Sequence, residues 1–166
     1  MKRLNKKGFT LVELLAVIII LAIVVGITIP AVLTTVDQAR KKAGEDAAAI
    51  MADWIDKQYG LVTIGFGGAD SIFTTVCGNT GTDCTNKTIK TGDTGFDTFV
   101  TTAGLKTSDV DQVAISINTT SGRSCVGIRA TSGGSYYINK DDNNIRQGGT
   151  CTGITYTADA SGNITK

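Results

Sequence analysis

The stretch GFTLVELLAVIII, residues 8–20, decides how the rest of the chain is read, because it sets an acid inside an otherwise unbroken apolar run. From Phe9 to Ile29 that run is 21 residues, enough at ~1.5 Å per residue to cross a ~30 Å hydrocarbon core as a helix. An ionised Glu13 at the bilayer centre opposes insertion by roughly 2.5–3.5 kcal/mol. The fifteen Leu, Ile, Val and Phe residues of the run, each favouring insertion by ~0.3–0.6 kcal/mol, outweigh it. Insertion is therefore expected despite Glu13. Lys2, Arg3, Lys6 and Lys7 should hold the short leader in the cytoplasm, with Arg40, Lys41 and Lys42 on the far side weakening the bias. A buried acid calls for a partner.

Working outward, an ordinary secretory signal fits poorly. The apolar run is too long for its hydrophobic region, and the helical pattern continues past it. Val32, Val36, Ala39, Ala43, Ala47, Ile50 and Trp54 recur at helical spacing and predict one apolar face of a continuing helix. Gly60 is the expected stop, which makes a helix from Phe9 to Tyr59 about 75 Å long, more than a bilayer needs. Pro30 removes a backbone donor and crowds the carbonyl of Gly26, so a kink or melted turn is expected between them.

The 166 residues allow one domain of ordinary size with an anchor. Beyond residue 60 the chain is rich in Gly, Thr, Ser, Asn and Asp. Setting aside the four cations of the leader leaves twelve basic against fifteen acidic residues, a net charge of −3. A weakly acidic body with no basic stripe argues against direct duplex binding. With no His, no nucleophile–base pair and no metal cluster, the sequence gives no support to an enzyme. No cofactor is expected.

Lys6-Lys7-Gly8-Phe9-Thr10-Leu11-Val12-Glu13-Leu14 resembles the prepilin leader and processing motif of type IV pilins and the related pseudopilins. The likeness is close over the first 60 residues and one of general layout beyond. It implies an α+β fold, a long N-terminal helix packed on a C-terminal antiparallel sheet. It divides the chain into a cleaved leader (1–8), a transmembrane and assembly helix (9–30) and an exported globular domain (31–166). A prepilin peptidase would cut between Gly8 and Phe9 and methylate the new amine of Phe9. In such filaments the acid of one subunit faces the amino terminus of a neighbour, which assigns Glu13 to the Phe9 amine of the adjacent protomer; pairing makes a buried charge tolerable. Gly26 and Pro30 mark a region that loses helicity on assembly in the family.

In the body, residues 61–111 read as irregular and Gly-punctuated, with Cys77 and Cys84 closing a tight loop. Alternating runs at 113–117, 125–129 and 136–138, separated by Thr-Ser-Gly and Ser-Gly-Gly, predict an antiparallel meander, and a further strand is expected at 154–157. The Ala/Ile/Trp54 stripe is expected to lie against one face of that sheet. Four cysteines downstream of an export segment read as two disulfides. Three pairings are open, and Cys77 with Cys84 and Cys125 with Cys151 is the one expected. Asp141-Asp142-Asn143-Asn144 lacks calcium-loop spacing and reads as a turn; no metal site is expected.

The expected function is that of a major structural subunit of a type IV pilus, a homopolymer serving adhesion, twitching motility, aggregation or DNA uptake. The expected partners are other subunits, the prepilin peptidase/methyltransferase, the assembly platform and motor, and the cytoplasmic membrane before export. The alternatives are a pseudopilin of type II secretion or competence and, in another class, a membrane-anchored adhesin or binding module.

Overall fold

A computed structural model describes residues 9–65, 70–78, 80–131, 134–139, 144–146, 149–151, 154–158 and 164–165. The chain falls into two units, one ending at Ala39 and one from Arg40 to Lys166. In element order, α1 (Leu11–Thr63) is followed by α2 (Ser71–Cys77), a 3-10 turn (Thr82–Asn86), β1 (Lys87–Lys90), α3 (Phe96–Thr102), β2 (Val110–Asn118), β3 (Arg123–Ala130), β4 (Ser135–Asn139), β5 (Asn144–Arg146), β6 (Gly149–Cys151), β7 (Ile154–Ala158) and β8 (Ile164–Thr165). This is the expected α+β architecture.

The first strands pair antiparallel in the order β1-β2-β3-β4-β5. The predicted meander is β2–β3–β4, with Ile115 opposite Val126 and Val126 opposite Ile138. The last predicted strand, β7, belongs instead to a second sheet of order β6-β7-β8. Strand alternation assigns the faces. Ile89, Val113, Ile115, Ile117, Val126, Ile128, Tyr136 and Ile138 point into the core, where they meet Ala48, Met51, Ala52 and Ile55 of α1.

The outer face of β2 is also covered. Gln112, Ala114 and Ser116 are all buried, and the two polar side chains find main-chain partners. The Gln112 side-chain amide donates to the Ile164 carbonyl at 3.1 Å and accepts from the Ile164 N–H at 2.8 Å. The Ser116 hydroxyl donates to the Thr85 carbonyl at 3.0 Å. Buried polar groups must be satisfied in this way, so β8 and the 3-10 turn are fastened over the sheet.

Three expectations about the body are corrected. The described residues between 61 and 111 are not irregular: they hold α2, the 3-10 turn, β1 and α3. Phe73, Phe96, Phe99 and Val100 from these short helices are fully buried or nearly so, and Trp54 meets Phe73 and Phe99 edge-on at ring centroid separations of 5.9 and 4.8 Å. The helix does not stop at Gly60, whose carbonyl accepts the Ile64 N–H at 3.1 Å. Its end comes at Gly65, which takes a left-handed φ of 71° that only glycine adopts cheaply.

The third correction concerns which face of α1 is buried. Gly44, Ala48, Met51, Ala52, Ile55 and Gln58 are buried, whereas Ala43 and Ile50 of the predicted stripe are exposed and Ala47 and Trp54 half-buried. The cause is Tyr136, whose buried ring lies so close to Gly44 that a Cβ there would stand 2.5 Å from Cδ2 and 2.7 Å from Cζ. Only glycine admits that approach. Asp56, one turn beyond Ala52, accepts the Ser124 N–H at 2.7 Å and ties the start of β3 to the helix.

Candidate functional site

The segment that carries the expected chemistry is the first part of α1. From Phe9 to Ile29 every side chain is exposed, and Phe9 and Leu11 are each 85% exposed. A continuous apolar surface of this extent has no place on a soluble monomer. Among the described residues α1 is the one helix long and apolar enough to cross a membrane.

Polar groups are sparse here, and each has a local partner. Thr28 donates its hydroxyl to the Val25 carbonyl at 3.3 Å. At the helix start the Thr10 carbonyl accepts the Leu14 N–H at 3.2 Å, which makes Thr10 the residue that caps the helix. Its hydroxyl accepts the Glu13 N–H at 3.3 Å, and Glu13 Oε2 accepts the Thr10 N–H at 2.8 Å. This is a reciprocal capping box, two orphan donors of the first turn satisfied by two side chains. Sequence reading singled out Glu13 and missed Thr10, although Thr-x-x-Glu ahead of an apolar run is the signature of such a box.

The remaining site residues divide as follows. Phe9 lies just outside the helix, while Gly8 and the rest of the leader lie outside the described residues. Gly26 and Pro30 stand one turn apart, and the backbone of α1 stays helical through both. A Cβ at Gly26 would meet nothing within 4 Å, so no close approach in the subunit requires that glycine. Helicity is not lost there in the single chain.

Cys77, at the end of α2, and Cys84, in the 3-10 turn, are joined by a disulfide with their Cα atoms 4.7 Å apart, and both are fully buried. Cys125 is also disulfide-bonded; the side chain of Cys151, its expected partner, lies outside the described residues. The Asp141–Asn143 stretch lies outside them as well. Among the described residues no cluster of three or more His, Cys, Asp or Glu could hold a metal ion.

An exposed apolar helix start bearing a single capped acid can insert and associate; it offers no arrangement for bond-making chemistry. Comparison with known proteins agrees. Residues 3–29 match the family model of the prokaryotic N-terminal methylation motif. The chain is similar to the type IV narrow pilus major component PilA5 of Thermus thermophilus, 33% identical over 112 residues, which span 63% of this chain and 93% of that relative. No solved structure matches the chain. With the processing motif at its amino terminus and likeness to a pilus component running well beyond it, the chain belongs to the type IV pilins, a family of structural subunits and not of enzymes.

Proposed function

We infer that this pilin is the major subunit of its filament. The observation that carries the reading is the likeness to a major pilus component over 93% of that relative's length, which extends far past the motif of residues 3–29 that pseudopilins share. In this reading the precursor sits in the cytoplasmic membrane through residues 9–30 with its carboxyl end outside. A prepilin peptidase cuts between Gly8 and Phe9 and methylates the Phe9 amine. The platform and motor then pass the subunit into an extracellular fibre, where Glu13 of one protomer neutralises the Phe9 amine of the next. Gly26 and Pro30 form the stretch that gives way when the fibre packs. The fibre serves adhesion, twitching motility, aggregation or DNA uptake.

Electron microscopy of filaments sheared from cells, with mass spectrometry of their subunit, tests this. The expected result is a fibre whose dominant protein begins at methylated Phe9. A dominant protein other than this chain, or a mature start beyond Pro30, overturns the reading.

A further inference from the structure

We propose that Thr10 is a positioning residue for assembly: its capping box holds Glu13 with one carboxylate oxygen occupied and the other presented to the amine of a neighbouring subunit. The proposal rests on the Glu13–Phe9 pairing inferred above and adds to it the residue that aims the acid. Oε2 is committed to the Thr10 N–H at 2.8 Å, whereas Oε1 makes no hydrogen bond among the described residues. The side chain is thus tethered at one oxygen and available at the other.

The physical need for a tether is specific to this setting. Glutamate has three side-chain torsions, and an untethered one would lose that freedom when it met its partner. The described neighbours within the apolar run offer nothing else to hold it. Leu11, Val12, Leu14 and Leu15 are apolar and exposed. The Thr10 hydroxyl is itself a hydrogen-bond partner of the carboxylate, and it also acts at one remove. By accepting the Glu13 N–H at 3.3 Å it fixes where the helix begins, and that in turn sets the Thr10 N–H within reach of the carboxylate. Phe9, whose amine the pairing uses, is the adjoining residue, so the same cap also fixes where each amine leaves its helix.

A capping box accepts Gln as well as Glu at its third helical position, and this separates the tether from the charge. Glu13→Gln keeps the cap and removes the charge. Thr10→Val keeps the residue's shape and its main-chain N–H and removes the capping hydroxyl, while Thr10→Ser restores a hydroxyl. The experiment counts sheared filaments from cells matched for the membrane level of cleaved subunit.

Thr10→Val is expected to lower filament yield about fivefold, the ratio that loss of a typical N-cap produces, with Thr10→Ser near wild type and Glu13→Gln strongly defective. The double variant Thr10→Val/Glu13→Gln is expected to match Glu13→Gln alone, because a residue acting through Glu13 has nothing left to position. Wild-type yield from Thr10→Val, an equal loss in Thr10→Ser, or defects that multiply in the double variant would overturn the positioning role. Wild-type yield from Glu13→Gln would overturn the pairing on which it rests, which is a different outcome from a normal Thr10→Val beside a defective Glu13→Gln.

Discussion

Replacing Gly44 with Ala should destabilise the body of this pilin, although the same change in a solvent-facing helix would stabilise it. Alanine has the higher helix propensity by about 0.8–1.0 kcal/mol. Against this stands the Tyr136 ring. A Cβ at residue 44 would sit 2.5 Å from Cδ2 and 2.7 Å from Cζ, well inside the ~3.5–4.0 Å of favourable carbon contacts. The ring has little room to retreat. Tyr136 is 4% exposed, and its hydroxyl lies over Gly134, close enough that a Cβ added there would stand 2.8 Å from it. Overpacking of this kind costs about 1–3 kcal/mol, and an approach this close, with Cε2 of the ring nearer still, belongs in the upper half of that range, so the net loss should be about 1–2 kcal/mol once the helical gain is deducted. For a body of this size that lowers the melting temperature by about 3–6 °C.

Trp54 is the protein's single tryptophan and lies edge-on to Phe73 and Phe99. Its fluorescence in detergent micelles therefore reports unfolding of the body directly. The decisive comparison is a double variant: with Tyr136→Ala in place the clash is gone, and Gly44→Ala should become neutral or stabilising. If Gly44→Ala is harmless with Tyr136 present, the account of why this face of α1 turns inward is wrong.

Two further outcomes concern the outer layer and the cross-links. Gln112→Leu should cost about 1–3 kcal/mol, because it leaves the Ile164 N–H and C=O without their buried partner; hydrogen exchange should accelerate at Ile164 well before it does in β2. Cys77→Ser/Cys84→Ser should lower stability by about 2–3 kcal/mol on the chain-entropy account of a loop of this length, seen as a reduced urea midpoint. Peptide mapping of the unsubstituted protein, which retains all four cysteines, should recover Cys125 joined to Cys151, and any other partner for Cys125 would remove the staple expected at the carboxyl end.

How far the fold could be read ahead of the structure depended on where information is local. The meander was legible because Val113 to Ile117 and Cys125 to Arg129 alternate over a full strand length between turn residues. Helices α2 and α3, at seven residues each, are too short to establish a 3.6-residue period; their phenylalanines are core residues only because the chain folds back onto Trp54. The buried face of α1 was ambiguous for a different reason. The stretch from Ala43 to Ala52 is so rich in alanine that more than one stripe looks apolar. What chooses between them is the fit of Tyr136 to Gly44, a contact across some ninety residues of chain with no local trace. At the candidate site, Glu13 stood out as a charge in an apolar run, whereas Thr10 was overlooked although its spacing to Glu13 was in plain view.

The fastening of Ile164 has a bearing on how such a protein can diversify. Gln112 does not grip the isoleucine side chain; it grips the peptide N–H and C=O of that residue, groups that nineteen of the twenty amino acids possess, since only proline lacks the N–H. The attachment is therefore indifferent to the identity of most of what it attaches. A lineage can rewrite the side chains of its outermost layer while the latch beneath continues to close on whatever backbone is offered to it.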